Sequence, residues 1–161
     1  MNTFVKMITA MLFFAAATGP LSAQAQSVSP VTLSGDVKAV ETTLDANGAQ
    51  ITRLVEPGVI VPGDRLIFGT DYANTGTEVV ENFVVTNPLP GAVRLASDAD
   101  PQLIVSVDGG QIWGTLVELS LTNDDGTARA ATHADVTHVR WTLAAIAPGA
   151  SGRLEYPAII R

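Results

Sequence analysis

The side chains best suited to acid–base or metal chemistry are two histidines and the carboxylate between them. His133 and His138 are the only histidines of the 161 residues, and Asp135 lies between them. A zinc site needs a fuller cluster of His, Cys or carboxylate ligands at regular spacing. His138 also alternates with Val139 and Trp141, as residues on opposite faces of a β-strand do. We therefore expect His138 to lie on the outward face of a strand, and we assign no catalytic or metal-binding role to either histidine.

Two pairs of aspartates supply the oxygen ligands that calcium prefers. Asp98 and Asp100 form one pair, and Asp124 and Asp125 form the other. Such ligands suit calcium where adjacent loops gather at one end of a β-sandwich. Neither pair forms a D-x-D-x-D-G loop, so we interpret the four as solvated turn carboxylates. A calcium- or glycan-binding module stays open as the alternative function.

A third group of residues has the spacing of a tight hairpin, with Ser106, Asp108, Gly110 and Trp113 in the pattern S-x-D-x-G-x-x-W. The Ser and Asp side chains can satisfy turn amides, the glycine can supply a positive φ, and the tryptophan can pack beneath the turn. The pattern matches the Asp-box, which recurs in sialidase propellers as a folding element remote from the active site. A propeller needs several copies, and this chain has one. We predict a structural hairpin.

The sequence lacks the local motifs of the common enzyme classes. It contains no nucleophile elbow, no phosphate-binding loop and no convincing Ser/His/Asp set. We therefore predict a protein that is not an enzyme and that needs no cofactor. Trp113 and Trp141 are the large aromatic residues that a sandwich core requires, and we predict that both belong to the core and do not form a carbohydrate platform.

The elements that must position these residues have a period of two. Between Asp64 and Ala73 the side chains alternate between two faces, which predicts a strand with one buried face. One face has Leu66, Phe68, Thr70 and Tyr72, and the other has Arg65, Ile67, Gly69 and Asp71. A further strand is predicted where Val117, Leu119 and Leu121 alternate with polar residues. Turn signals such as Asn47-Gly48 recur about every ten residues. The pattern predicts an all-β fold, an immunoglobulin-like antiparallel β-sandwich of about seven to ten strands.

The final strand is predicted over Leu154 to Ile160. If it lies at the edge of a sheet, its unpaired backbone groups can receive a strand from a partner. Pro157 lacks an amide hydrogen, so it cannot donate to an added strand in one of the two registers.

The first residues predict export. Lys6 precedes an apolar run from Met7 to Gly19, and the small-residue triplet Ala23-Gln24-Ala25 follows. This order is typical of a helical signal peptide, and the run is shorter than the roughly 20 residues of a membrane span. We predict a signal peptide over residues 1–25, with cleavage after Ala25. No membrane span is expected after its removal.

The remaining 136 residues are enough for one domain. We predict a polar lead-in over residues 26–35, of which Val31 and Leu33 can add to a sheet edge, and a single sandwich domain over residues 36–161. The chain has no cysteine, so its stability must come from burial and hydrogen bonding. Without Lys6 the chain has eight Lys and Arg against sixteen Asp and Glu, a net charge of −8. This charge disfavours nucleic acid as a partner.

Several segments together resemble a known bacterial family, the conserved repeat domain, which is number eleven among domains of unknown function. The segment Val61–Gly76 has Pro-Gly-Asp near its start and continues as a strand to Asn-Thr-Gly. The segment Val84–Gly91 ends in Asn-Pro-Leu-Pro-Gly, with Asn87 where Asp is commoner in the family. The segments are Val61–Gly76, Val84–Gly91, Ser106–Trp113 and Trp141–Gly152. The resemblance covers residues 54–161 and implies an exported immunoglobulin-like sandwich, frequently in tandem on cell-surface proteins. It implies no chemistry.

Together, these features predict a non-catalytic structural or protein-interaction module of the cell envelope. The expected location is the periplasm or the medium, and the expected partner is another envelope or surface protein. The sequence leaves the oligomeric state open.

Overall fold

A computed structural model describes residues 30–161 of the chain. The predicted signal peptide over residues 1–25 and its cleavage after Ala25 lie outside the described residues. Within residues 30–161, no helix has the length and apolar character needed to cross a membrane.

The described residues form eleven β-strands and one short 3-10 segment. The strands are β1 Val31–Leu44, β2 Gln50–Val55, β3 Arg65–Asn74, β4 Val80–Pro88, β5 Val93–Leu95, β6 Ile104–Ser106, β7 Gly114–Thr115, β8 Ser120–Thr122, β9 Ala128–Ala130, β10 His138–Ile146 and β11 Ser151–Ile160. The 3-10 segment is Leu116–Glu118. The count exceeds the predicted seven to ten because several strands have only two or three residues.

The strands pair in antiparallel fashion and form two main sheets. The larger sheet has the order β2-β1-β3-β11-β5, and the smaller has the order β4-β10-β6-β7. A separate hairpin joins β8 to β9. The two sheets enclose the hydrophobic core, so the predicted all-β sandwich is confirmed.

The core lies between the inner faces of the two sheets. Leu66 and Ala158 of the larger sheet and Val85 and Val139 of the smaller are almost completely buried. Tyr156 is 1% exposed, and its ring stacks on Phe68 with 5.0 Å between the ring centroids. Burying one such side chain stabilises the fold by about 1.5–3 kcal/mol. A core of this kind can stabilise a chain without disulfides.

The predicted strand through Val117 and Leu119 is wrong in its first half. Residues 116–118 form the 3-10 segment, and Val117 is 87% exposed. The Glu118 carboxylate accepts hydrogen bonds from the Thr115 amide at 2.9 Å and from its hydroxyl at 2.8 Å. This pairing of Thr with Glu three residues later is a capping interaction that favours a helical turn. It outweighs the alternation of residue types, and the strand begins only at Ser120.

The N-terminal part of the domain also differs from the prediction. β1 begins at Val31, so the second half of the predicted lead-in belongs to the sheet. Its residues pair with β3 from Val31↔Asn74 to Ala39↔Leu66. The ladder hydrogen bonds to a buried neighbour hold this polar sequence in a strand.

The final strand, which the sequence leaves as a candidate edge, has a neighbour on each side. β11 lies between β3 and β5, and its residues Ala158 to Ile160 pair with β5. The Ile160 backbone bonds to Gly63 and Asp64, which directly precede β3. Because bonding sides alternate along a strand, the backbone of Pro157 faces the opposite neighbour. The Pro157 carbonyl accepts the Ala96 amide there at 3.0 Å. Only the first half of β11, over residues 151–155, has an open side among the described residues.

Candidate functional site

The predicted hairpin residues lie together in the loop between β6 and β7. The Ser106 hydroxyl is fully buried; it donates to Asp108 Oδ1 at 2.7 Å and accepts from the Gly110 amide at 2.9 Å. Asp108 also accepts from the amides of Gln111 and Ile112 at 3.0 Å. Gly110 has a φ of +93°. The bonds from the Ile112 amide and the Ser106 hydroxyl hold the pKa of Asp108 below its usual range.

Trp113 packs on this loop and not in the core, contrary to the prediction. Its indole N–H donates to the Gly110 carbonyl at 2.8 Å. The Arg140 guanidinium lies 3.5 Å from the centre of the ring, and the His138 ring meets it edge-on at 6.1 Å. The guanidinium therefore covers one face of the ring, where a sugar would stack. Trp141 packs against the core as predicted, with its ring centroid 6.2 Å from that of Tyr156.

The carboxylate between the two histidines is engaged in structural contacts. Asp135 forms two bonds of 2.7 Å with the Arg129 guanidinium and accepts from the Thr132 amide and hydroxyl. The Arg129 bonds hold the pKa of Asp135 well below its usual range. Over residues 30–161, no three His, Cys, Asp or Glu side chains come together as a metal-binding group.

The four aspartates proposed as calcium ligands lie in two different loops, and three of them are bonded to neighbouring groups. Asp98 pairs with Arg65 at 2.8 Å, which lowers its pKa, and Asp100 accepts the Gln102 amide. Asp125 caps the β8–β9 turn by accepting from the Thr127 hydroxyl and amide, which lowers its pKa. Asp124 is exposed in that turn. Each pair of aspartates therefore lies in its own loop.

An open strand edge is the first part of a site that the sequence did not predict. β2 pairs with β1 only from Ala39 onward, while β3 pairs with β1 from Val31 to Ala39. Residues 32–38 therefore pair with one neighbour only, among the described residues. We call this segment the β1 edge.

The alternation of ladder bonds shows which backbone groups the β1 edge presents. The Thr75 amide donates to the Pro30 carbonyl at 2.8 Å, so even-numbered residues of β1 face β3. The amide and carbonyl groups of Leu33, Gly35 and Val37 consequently point away from β3. They form a row of donors and acceptors available to an added strand.

The sheet edges at β4, β5 and β7 are shortened or blocked. Next to β4, the Leu89 amide donates to the Thr137 carbonyl, so odd-numbered residues bond to β10. The backbone groups of the even-numbered residues of β4 therefore point away from the sheet. These include Pro88, which has no amide hydrogen, and Asn82, which has a φ of +51°. β5 and β7 have three and two residues. Proline, irregular backbone and short length are the usual protections of an edge. β2 and residues 151–155 of β11 have an open side, but none of these residues lines the cavity described next.

A cavity of about 390 Å³ lies beside the β1 edge, where the inner face of β1 and β3 extends past the end of β4. We call it the β1 groove. Leu33 is 50% exposed at its mouth. Phe68 and Tyr156 form its apolar wall, and burial raises the pKa of the Tyr156 hydroxyl to about 12. The lining residues are Leu33, Gly35, Asp36, Val37, Phe68, Gly69, Thr70, Asn87, Pro88, Pro90 and Tyr156.

The outer face next to the edge is charged, but its charges are paired. The Arg153 guanidinium contacts Asp36 at 2.5 Å, Glu155 at 2.6 Å and Asp71 at 3.0 Å. These carboxylates, Asp36 above all, raise the pKa of Arg153. Lys38 pairs with Glu56. The lysine of the edge is thus held by a carboxylate of its own chain, and does not repel an incoming strand as an unpaired edge lysine would.

Comparisons of the chain with protein-family models, with curated proteins and with solved structures find no match.

The sequence contains one signal for this site, the glycine at position 35. Gly35 interrupts an otherwise alternating strand. A glycine inside a strand often marks a place where another group approaches closely. The open side of the edge could not be found this way, because it depends on where β2 stops pairing.

Proposed function

We propose that this protein is an exported, non-catalytic module of the cell envelope that binds a protein partner by accepting a β-strand at the β1 edge. The observation that carries the proposal is the combination of an open row of backbone groups with the β1 groove beside it. Strand addition obtains affinity from backbone bonds and specificity from pockets for alternate side chains. The β1 edge offers both.

The energies involved suit a specific but reversible contact. Each backbone hydrogen bond contributes roughly 0.5–1.5 kcal/mol net, and one fully buried apolar side chain about 1.5–3 kcal/mol. Three outward residues and one groove therefore contribute several kcal/mol toward binding an extended segment, against the freedom lost on association. The signal-like N-terminus and the resemblance to an envelope family support the location.

The local roles of the polar residues support a function without catalysis. Ser106, Asp108 and Asp135, which have the residue types of catalytic groups, hold loops through several hydrogen bonds each. A carboxylate committed to turn amides has a lowered pKa and is a poor base.

The test compares Leu33→Pro with Leu33→Ala. Both changes remove the Leu33 side chain, but only proline removes the outward amide hydrogen. We expect tagged wild-type protein to retain a partner from an envelope extract of the producing cell, Leu33→Ala to retain less of it, and Leu33→Pro to lose it. Equal retention by Leu33→Pro and the wild type, or no retained partner at all, would contradict the proposal.

A further inference from the structure

Long side chains of neighbouring strands cover two strand glycines of the larger sheet. On the outer face, a Cβ atom on Gly69 would overlap the Arg153 guanidinium, which lies across it. On the inner face, a Cβ atom on Gly152 would overlap the Tyr72 ring, and the two residues are direct cross-strand partners. An aromatic side chain that lies over a cross-strand glycine is a known way to stabilise a sheet. This protein thus uses the glycine–aromatic pair within its own fold.

Gly35 is a third glycine of the same sheet, and it is uncovered. The nearest atom to a Cβ built on Gly35 is the Gly69 carbonyl oxygen at 3.7 Å, an ordinary contact distance. Its φ is not in the left-handed region. Gly35 therefore does not need to be glycine for its own backbone. It lies at the centre of the outward row, between Leu33 and Val37, and it lines the β1 groove.

From these observations we infer that the partner strand carries an aromatic side chain opposite Gly35, and that this side chain lies across Gly35 into the β1 groove. The inference deepens the proposed function, because it assumes strand addition at the β1 edge. The missing side chain of Gly35 leaves a gap that leads to Phe68, Thr70 and Tyr156. Two polar side chains of the lining are already paired with each other, because the Asn87 amide donates to the Thr70 hydroxyl at 2.7 Å.

The composition of the lining selects the chemistry of the inserted group. The lining contains no Lys or Arg and includes Asp36, so an acidic side chain has no partner there. The wall is made of aromatic and aliphatic side chains, and an aromatic side chain buries about 150–250 Å². The partner residues two positions before and after the aromatic one face Leu33 and Val37, so they are expected to be apolar. The chain's net charge of −7 favours neutral or basic residues in the rest of the partner segment.

A second copy of this chain does not fit this role. The edges that it leaves open, on β1, on β2 and over residues 151–155 of β11, contain no aromatic residue. The occupant is therefore a strand of a different protein.

The test uses a blocked synthetic peptide, acetyl-Lys-Thr-Val-Thr-Trp-Thr-Val-Thr-Lys-amide, and a second peptide with alanine in place of tryptophan. We call them the tryptophan peptide and the alanine peptide. In an extended conformation the two valines and the central residue share one face. We expect the tryptophan peptide to bind the protein of residues 26–161 at least about tenfold more tightly than the alanine peptide in a calorimetric titration.

Two matched variants locate the contact. Gly35→Val fills the gap with a residue that suits a strand, and Gly58→Val makes the same change in a loop where a Cβ atom meets nothing within 4 Å. We expect Gly35→Val to weaken binding of the tryptophan peptide at least about tenfold and Gly58→Val to leave it unchanged. Unfolding curves are measured for both variants to check that each is folded.

The outcomes separate this inference from the proposed function. If both peptides bind equally, or if Gly35→Val binds the tryptophan peptide as the wild type does, the aromatic inference fails; strand addition survives if Leu33→Pro abolishes the binding. If neither peptide binds, or if Leu33→Pro does not weaken binding, both proposals fail. A dimer of the protein in sedimentation that Leu33→Pro dissolves would also overturn the inference, because a second copy would then occupy the β1 edge.

Discussion

Ser106 and Asp108 show how a short motif can determine a loop without providing chemistry. The hydroxyl and the carboxylate bond to each other, and between them they accept from four backbone amides of the loop. The residue types and the spacing were sufficient to predict this loop, because every contact lies within eight residues of sequence. The position of Trp113 was not predictable in the same way. It depends on Arg140, which β10 brings to the ring from a distant part of the chain.

Replacing Ser106 with alanine tests the role of the loop. The Gly110 amide would lose its partner in a partly buried position, which costs about 1–3 kcal/mol. We expect the free energy of unfolding in urea to fall by about 2 kcal/mol. Ser120→Ala, on the exposed β8, is the matched control and should change it by less than about 0.5 kcal/mol. Similar losses in both variants would show that the loop does not have this role.

At the scale of elements, the alternation of residue types predicted most of the long strands and the turns between them. It failed where a local contact was stronger than the pattern, as at Thr115 and Glu118. It also failed to give the sheet order. By sequence the terminal strand is only a candidate edge, and β11 in fact lies inside the sheet. Pairing between distant strands leaves no mark in a local pattern. The candidate site was missed for the same reason, since an edge is defined by the absence of a neighbour.

Two proline substitutions test the orientation of β1. The amide of Leu33 faces outward, and the amide of Ser34 faces Asp71 on β3. We expect Leu33→Pro to change the free energy of unfolding by no more than about 1 kcal/mol, as a surface substitution does. Ser34→Pro removes a ladder bond inside the sheet and should cost at least about 2 kcal/mol. A larger loss for Leu33→Pro than for Ser34→Pro in urea unfolding would reverse the assigned orientation.

The whole molecule combines an acidic composition with carboxylates that are held in their ionised form. Asp108 and Asp135 have lowered pKa values, the first through the Ile112 amide and the second through Arg129. When a carboxyl group has a lower pKa in the folded state than in the unfolded state, it stabilises the fold at pH values above the unfolded pKa, which is about 3.9 for Asp. This stabilisation is lost as the pH falls through that value toward the folded one.

We therefore expect the melting temperature to be nearly constant between about pH 6 and 8 and to fall steadily below about pH 4. Asp135→Asn should melt at a lower temperature than the wild type at neutral pH. The difference between the two should shrink as the pH approaches 2, since the wild-type carboxyl group is then almost fully protonated in the unfolded chain. A difference that stays constant from neutral pH to pH 2 in thermal melts would show that the ionised form of Asp135 does not stabilise the fold.

Hydrogen exchange of the β1 amides, measured by NMR before and after addition of the tryptophan peptide, tests strand addition at the β1 edge most directly. Without peptide, the amides of Leu33, Gly35 and Val37 should exchange faster than those of Ser34 and Asp36, which bond to β3. With saturating peptide, exchange at the three outward amides should slow while the inward ones change little. If the outward amides are already protected without peptide, or if bound peptide leaves their exchange unchanged, no strand adds at this edge.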